Sequence, residues 1–134
     1  MRVLAVDWGG ARIGIAVGES EFGIASPRQA IKATGSLAKD AALLKQLVDE
    51  EQAGMAIIGV PVHAENPRMA RVCLQFAERL RELGVEVRTI DESLTTELSH
   101  LDLAEQGYTA AQRKHLVDSE AAMRIALRYF SENG

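Results

Sequence analysis

Residues 1–17 read MRVLAVDWGGARIGIAV, and this stretch decides the fold of the chain. An apolar run, residues 3–6, leads into Asp7, and beyond the next two glycines apolar residues alternate with small ones up to Val17. Such runs and alternation are typical of β-strands, and paired glycines give the backbone the freedom for a tight turn. We therefore predict a β-hairpin with arms at residues 2–8 and 12–18.

Asp7 is the residue of this hairpin that bears on function. Strands that are apolar at every position lie in the centre of a sheet, and the carboxyl ends of such strands face the clefts of α/β proteins. A carboxylate at that point has two interpretations. It is either a functional acid or an aspartate that initiates the turn before two glycines.

Composition limits the class of protein. A chain of 134 residues with 47% hydrophobic and 25% charged residues is typical of one globular domain. No apolar run approaches twenty residues and no leader pattern is present, so we expect a cytoplasmic protein without membrane association. The lone cysteine, Cys73, fits a reducing compartment and is expected in the core. A net charge of −4 argues against a general nucleic-acid coat but allows a nuclease, whose acids gather around metal ions.

The remainder of the chain alternates strands and helices, which indicates an α/β protein with a β-sheet flanked by helices. Residues 55–60 are apolar and predict a central parallel strand, whereas Pro27 indicates an edge strand or a bulge. Ser36 is a candidate N-cap. The full set of predicted strands beyond the hairpin is 22–34, 55–60 and 85–90, and the predicted helices are 37–52, one from 66 or 67 to 83, 96–106, and one from 110 or 116 to 130.

Further carboxylates are expected near Asp7. Asp91 and Glu92 follow a predicted strand, so they lie at a carboxyl edge, and the residues alone leave open which of them is functional. Asp118 lies on the apolar face of the last helix, where it points at the sheet or merely complements the helix dipole. Converging carboxylates repel one another unless a cation neutralises them, and Mg²⁺ or Mn²⁺ prefers such oxygen ligands.

Four segments, taken in this order, resemble the YqgF/RuvX family, whose members are Holliday junction resolvases and pre-16S rRNA nucleases with a ribonuclease H-like fold. They are residues 7–17 (DWGGARIGIAV), 59–61 (GVP), 91–96 (DESLTT) and 117–122 (VDSEAA). The resemblance runs from residue 3 to 130. It implies a mixed β-sheet flanked by α-helices, and a metal-dependent endonuclease that acts on branched DNA or precursor rRNA.

The same resemblance implies that Asp7, Glu92 and Asp118 form an acidic triad that is both catalytic and metal-binding. Asp7 would bridge two Mg²⁺ or Mn²⁺ ions about 4 Å apart, and Glu92 and Asp118 would each bind one of the two. The chain departs from the family in two places. Ser93 stands where the family usually has arginine, and residues 62–66 (VHAEN) replace a loop that commonly contains glycine, so substrate preference is open.

Candidate substrate-binding residues surround this triad. Arg12 lies across the hairpin turn and would hold a phosphate oxygen, unless it is simply an exposed charge. Thr95 and Thr96 either contact substrate or cap the next helix. His115, one turn before Asp118, either assists proton transfer or faces solvent. Candidate contacts of the nucleic-acid backbone are Arg68, Arg71, Arg113 and Lys114, unless they simply lie on charged outer faces of helices. Candidate aromatic residues for base stacking are Trp8, Phe22 and Tyr108, although burial of Trp8 in the core on the far side of the hairpin is equally compatible.

Two other functions compete with the nuclease. Actin-like ATPases share the opening strand, Asp and glycine turn, but they close two domains over a nucleotide, which 134 residues cannot supply. A non-catalytic RNA- or ribosome-binding module would use the same surface. A junction resolvase is expected to be a symmetric homodimer, because one four-way structure needs two active sites, whereas an rRNA-trimming nuclease could be a monomer.

Overall fold

The computed structural model describes residues 1–9, 11–62, 67–91 and 109–133, with side chains in the last range given for Thr109 and from Ser119 onward. The described residues form five strands and three helices around a mixed β-sheet with the strand order β3-β2-β1-β4-β5. The elements are β1 (Arg2–Trp8), β2 (Arg12–Glu19), β3 (Ile24–Lys32), α1 (Leu37–Glu50), β4 (Met55–Val60), α2 (Pro67–Glu82), β5 (Val87–Asp91) and α3 (Ala110–Asn133).

The predicted hairpin is confirmed. β1 and β2 pair antiparallel, with Asp7 opposite Gly14 and Trp8 opposite Ile13. β4 lies parallel to both β1 and β5 and is buried at every position, so the central parallel strand is also confirmed. Because β1 and β5 run parallel to the same strand, their carboxyl ends meet at one edge of the sheet.

β3 occupies the edge of the sheet beside β2, as Pro27 indicated. It is shorter than predicted, because residues 20–23 form the turn that joins it to β2 and the chain leaves the sheet after Lys32. The pairing of β2 with β3 shifts between Ile13 and Ile15, where β3 has one residue more than its partner. Such a bulge interrupts the regular ladder of backbone hydrogen bonds.

The sheet separates two layers of helices. Leu4 and Val6 of β1 belong to a core cluster with residues of α1 and α2, whereas Val3 and Ala5 belong to a second cluster with residues of α3. Side chains along a strand alternate between the two faces. Asp7 therefore follows Val3 and Ala5 onto the face that α3 covers.

α1 begins at the predicted cap. The Ser36 side chain accepts a hydrogen bond from the backbone N–H of Lys39 at 3.3 Å. We expect Ser36→Ala to lower the free energy of unfolding by about 1 kcal/mol, since alanine leaves that N–H without its side-chain acceptor. Urea denaturation followed by circular dichroism measures this loss. Ser36→Asn restores an acceptor and should unfold close to wild type, and an unchanged midpoint for the alanine variant would contradict the capping role.

α2 carries the predicted core residue Cys73, which is 1% exposed. Leu83, the last residue of the predicted helix, is 43% exposed because α2 ends at Glu82 and the chain turns at Gly84. The next strand spans 87–91 rather than 85–90. The predicted helix 96–106 lies outside the described residues.

Within the part of the chain that the structure describes, no helix is both long and apolar enough to cross a bilayer.

Candidate active site

Asp7 lies at the carboxyl end of β1, half-buried, on the α3 face of the sheet. Its partner on β2 is Gly14, and the pairing of Val6 with Ile58 brings Gly59 of β4 to the same level on the other side. Directly opposed residues of neighbouring strands hold their Cβ atoms about 5 Å apart. Both positions directly opposite Asp7 are glycines, so neither of them contributes a side chain beside its carboxylate.

Asp91 is separated from this space by the sheet itself. β5 lies two strands from β1, about 10 Å away at ordinary strand spacing. Asp91 pairs with Val60, whose side chain belongs to the cluster on the α1 and α2 side, while Ile90 belongs to the cluster on the α3 side. Alternation thus places Asp91 on the face opposite to Asp7, which argues against it as a partner. Glu92 lies outside the described residues.

Ser119 joins α3 to the sheet beside Asp7. Its fully buried hydroxyl accepts a hydrogen bond from the backbone N–H of Ile15 at 3.1 Å and donates one to the carbonyl of Arg28. These two groups belong to β2 and β3 where their pairing shifts. The hydroxyl therefore bridges the two strands at the bulge and holds α3 there.

This contact fixes the neighbourhood of the third predicted acid. Asp118 immediately precedes Ser119 on α3, and Gly14, the partner of Asp7, immediately precedes Ile15 on β2. The chain carrying Asp118 thus meets the sheet at the level of Asp7. The side chains of Asp118 and His115 are outside the described part of the structure, so their roles stay predictions, as do those of Glu92, Thr95 and Thr96.

Two basic residues stand at the same end of the sheet. Arg12 is exposed, and its partner on β3 is Lys32, which is also exposed. Alternation along β2 sets Arg12 on the face of Gly14 and Ala16, which is the α3 face. Lys32 was not predicted from the sequence, because a period-two pattern identifies a strand but not the register that brings its residues next to another strand.

Other predicted contacts lie elsewhere. Trp8 packs against the cluster on the α1 and α2 side, so the interpretation that it stacks on a base next to Asp7 is wrong. Phe22 is 72% exposed but lies in the turn between β2 and β3, at the end of the sheet opposite to Asp7. Arg68 and Arg71 are on α2, in the layer across the sheet. Tyr108 and the side chains of Arg113 and Lys114 lie outside the described residues.

The described residues contain no group of three or more His, Cys, Asp or Glu side chains close enough to hold a metal ion. Of the predicted triad, Asp7 is the member whose side chain the structure describes. Its chemistry fits a divalent ion, because a carboxylate supplies the hard oxygen donors that Mg²⁺ and Mn²⁺ prefer, and the strand positions on either side, Gly14 and Gly59, carry no side chain.

Comparison with known proteins gives concordant matches. A family model described as "RuvX: Holliday junction resolvase" matches residues 1–132. A protein of Escherichia coli named "Putative pre-16S rRNA nuclease" is 39% identical over 134 residues, covering 97% of this chain and 96% of its own. A protein of Nitrosomonas eutropha with the same name is 33% identical over 141 residues, covering 98% of this chain and 85% of its own.

The solved structure of RuvC from Thermus thermophilus superposes with a TM-score of 0.64 at 16% sequence identity, covering 98% of this chain and 95% of that one. At this identity the likeness concerns the fold. It confirms the predicted ribonuclease H-like arrangement of a mixed sheet flanked by helices.

Proposed function

The chain belongs to the RuvX family of Holliday junction resolvases, and from that premise we propose how it works as a nuclease that hydrolyses phosphodiester bonds. The observation that supports the site most directly is the position of Asp7, at the carboxyl end of β1 between two glycines and on the face where Ser119 anchors α3. We propose an endonuclease that acts on structured nucleic acid through Asp7, Glu92 and Asp118.

The proposed triad would hold two divalent ions, Mg²⁺ or Mn²⁺, with Asp7 contacting both and Glu92 and Asp118 contacting one each. Such ions supply an activated water and stabilise the leaving oxygen of the phosphodiester. The residues of the chain would orient the metal ions and the phosphate. Asp7 is held by the β1 ladder, and the glycines beside it let a phosphate approach the backbone closely.

Arg12 and Lys32 form the proposed phosphate-binding edge of the site. As partners on neighbouring strands they present two positive charges at one end of the sheet, on the side of Asp7. Arg12 can bind two phosphate oxygens with its planar guanidinium group, and Lys32 adds a point charge. Thr95, Thr96 and His115 remain further proposed contacts of the substrate near the carboxylates.

We expect Arg12→Ala and Lys32→Ala each to raise the Kd for a four-way DNA junction about fivefold, the range of one exposed ion pair. Each should also lower the dependence of log Kd on log salt by about one, because one phosphate contact and its released counterion are lost. Fluorescence anisotropy over a series of salt concentrations, in Ca²⁺ to prevent cleavage, measures both quantities. Lys39→Ala, an exposed lysine on α1 across the sheet, is the control and should bind like wild type.

The substrate is tested by incubating the protein in Mg²⁺ or Mn²⁺ with a labelled four-way DNA junction and, in parallel, with a precursor 16S rRNA fragment. Cleavage of the junction, lost in Asp7→Asn, would establish a resolvase. Cleavage of the RNA alone, lost in the same variant, would establish an rRNA-maturation nuclease. If neither is cut while Mn²⁺ binds, the nuclease mechanism is wrong and a non-catalytic RNA- or ribosome-binding module takes its place.

The proposal extends to assembly and location. A resolvase that cuts two strands of one junction requires two sites related by symmetry, so we propose a homodimer if DNA junctions are the substrate. Light scattering of the purified protein with and without a junction measures the oligomeric state. A cytoplasmic location suits either nucleic-acid substrate, and the single cysteine of the sequence, Cys73, is buried, which agrees with a reducing compartment.

A further inference from the structure

We infer that Ser119 is a positioning residue, whose hydroxyl locks α3 onto β2 and β3 so that Asp118 is held beside Asp7. This inference rests on the proposed function, since it concerns the assembly of the proposed metal-binding acids. Ser119 itself is fully buried and contacts backbone, so it acts through its neighbour in the chain and not on the substrate.

The apolar contacts of α3 do not by themselves fix where Asp118 sits. Beyond Ser119, the face of α3 that packs on the sheet carries Ala122, Met123, Ile125 and Ala126, all fully or almost fully buried. Apolar packing is non-directional, and small side chains such as alanine allow a helix to shift along a sheet. A hydrogen bond, in contrast, is lost when its donor and acceptor move apart by about 1 Å.

Ser119 supplies that directional restraint at one point. Its hydroxyl is a donor to one strand and an acceptor from the next, so both its hydrogen-bonding functions are used. The two strand groups come from the bulge, where the shift in pairing opens the ladder to a side chain. A sliding or rotation of α3 would break both bonds in a buried place, where unmade hydrogen bonds are costly.

The restraint lies close to the proposed site on both elements that it joins, β2 and α3. Ile15 is next to Gly14, which faces Asp7, and Ser119 is next to Asp118. The lock is therefore one residue from Asp118 on α3 and one residue from the strand partner of Asp7 on β2, whereas the apolar contacts begin three residues further along α3.

The test is Mn²⁺ binding to the full chain without nucleic acid, followed by electron paramagnetic resonance of the free ion. We expect Ser119→Ala to weaken Mn²⁺ binding about tenfold, the effect typical of residues that orient metal ligands without touching the metal. Ile125→Val is the matched control, because it loosens the same helix–sheet contact at a fully buried position and leaves the lock intact. It should bind Mn²⁺ like wild type. Asp7→Asn serves as the reference for a lost ligand and should abolish binding.

The outcomes separate the inference from the proposed function. Wild-type Mn²⁺ binding by Ser119→Ala, or equal weakening in Ile125→Val, would overturn the positioning role while the loss in Asp7→Asn still supports the metal site. Wild-type binding by Asp7→Asn would overturn the proposed function itself.

A measurement on the unmodified chain makes the test independent of whether Ser119→Ala folds. The Ile15 N–H exchanges with solvent when α3 lifts from the bulge, because its acceptor is Ser119. If metal binding requires the locked helix, Mg²⁺ at about ten times its Kd should slow Ile15 exchange about tenfold by mass action. Ala16, paired with Ala5 in the β1–β2 ladder, directs its N–H to the other side of β2 and is the control amide, which should change less. An Ile15 exchange rate that Mg²⁺ leaves unchanged would overturn the inference.

Discussion

Asp7→Asn is expected to lower the rate of phosphodiester cleavage about a thousandfold, since metal ions supply several kcal/mol of catalysis and each 1.36 kcal/mol is a factor of ten. Asparagine has nearly the same shape, but its neutral amide cannot replace a carboxylate that, in the proposed centre, would contact two cations. Single-turnover cleavage at saturating protein, in Mg²⁺ or Mn²⁺, measures the chemical step without the contribution of product release.

Asp91→Asn is the matched control for Asp7→Asn. It makes the same chemical change in a carboxylate at the carboxyl end of a parallel strand, but on the opposite face of the sheet. We expect it to cleave within about threefold of wild type, the range of a residue outside the reacting centre. An Asp91→Asn variant as slow as Asp7→Asn would mean that the alternation of β5 does not decide which acid acts. Undiminished cleavage by Asp7→Asn would refute the triad.

The parts of the fold that the sequence predicted well are those set by local patterns. The hairpin of residues 2–19 follows from two apolar strands around a glycine turn, and β4 from an unbroken apolar run. The Ser36 cap uses a side chain and a backbone group three residues apart. Each of these depends on neighbours in the chain, so the chain alone contains the information.

The parts that it predicted less well depend on contacts between distant segments. Leu83 has the spacing of a core residue, yet α2 stops one residue earlier and leaves it exposed. Trp8 was open to two interpretations, and only the assembled sheet shows that it packs on the side away from Asp7. The bulge between β2 and β3 and its occupation by Ser119 involve residues 104 positions apart, for which no local pattern exists.

The candidate site likewise has residues that the sequence predicts and residues that only the assembled sheet identifies. The acid at the end of β1 could be found from its position after an apolar run. Between Asp91 and Glu92, the residues alone did not decide, and the preference for Glu92 came from the family resemblance. The structure adds an independent argument against Asp91, from the face on which it lies. Lys32 needed the pairing register with Arg12 before it could be considered at all.

Asp118→Asn carries the second large effect, and its combination with Asp7→Asn tests whether the two acids act as one unit. We expect the single variant to cleave about a hundredfold more slowly, because in the proposed centre a ligand of one ion would be lost while Asp7 would still contact both. The double variant should be within about threefold of Asp7→Asn alone, since groups that build one catalytic centre lose their effect together.

Glu132→Gln provides the comparison on the same helix, because Glu132 is an exposed carboxylate near the far end of α3 and should be dispensable. Rate losses of Asp7→Asn and Asp118→Asn that multiply in the double variant, to about 10⁵-fold, would show that the two residues act at separate steps or sites. Mn²⁺ binding by Asp118→Asn alone reports on assembly without catalysis, and we expect it to be weaker than in wild type. Weaker Mn²⁺ binding by Asp118→Asn, together with its slower cleavage, is what a metal centre shared with Asp7 requires.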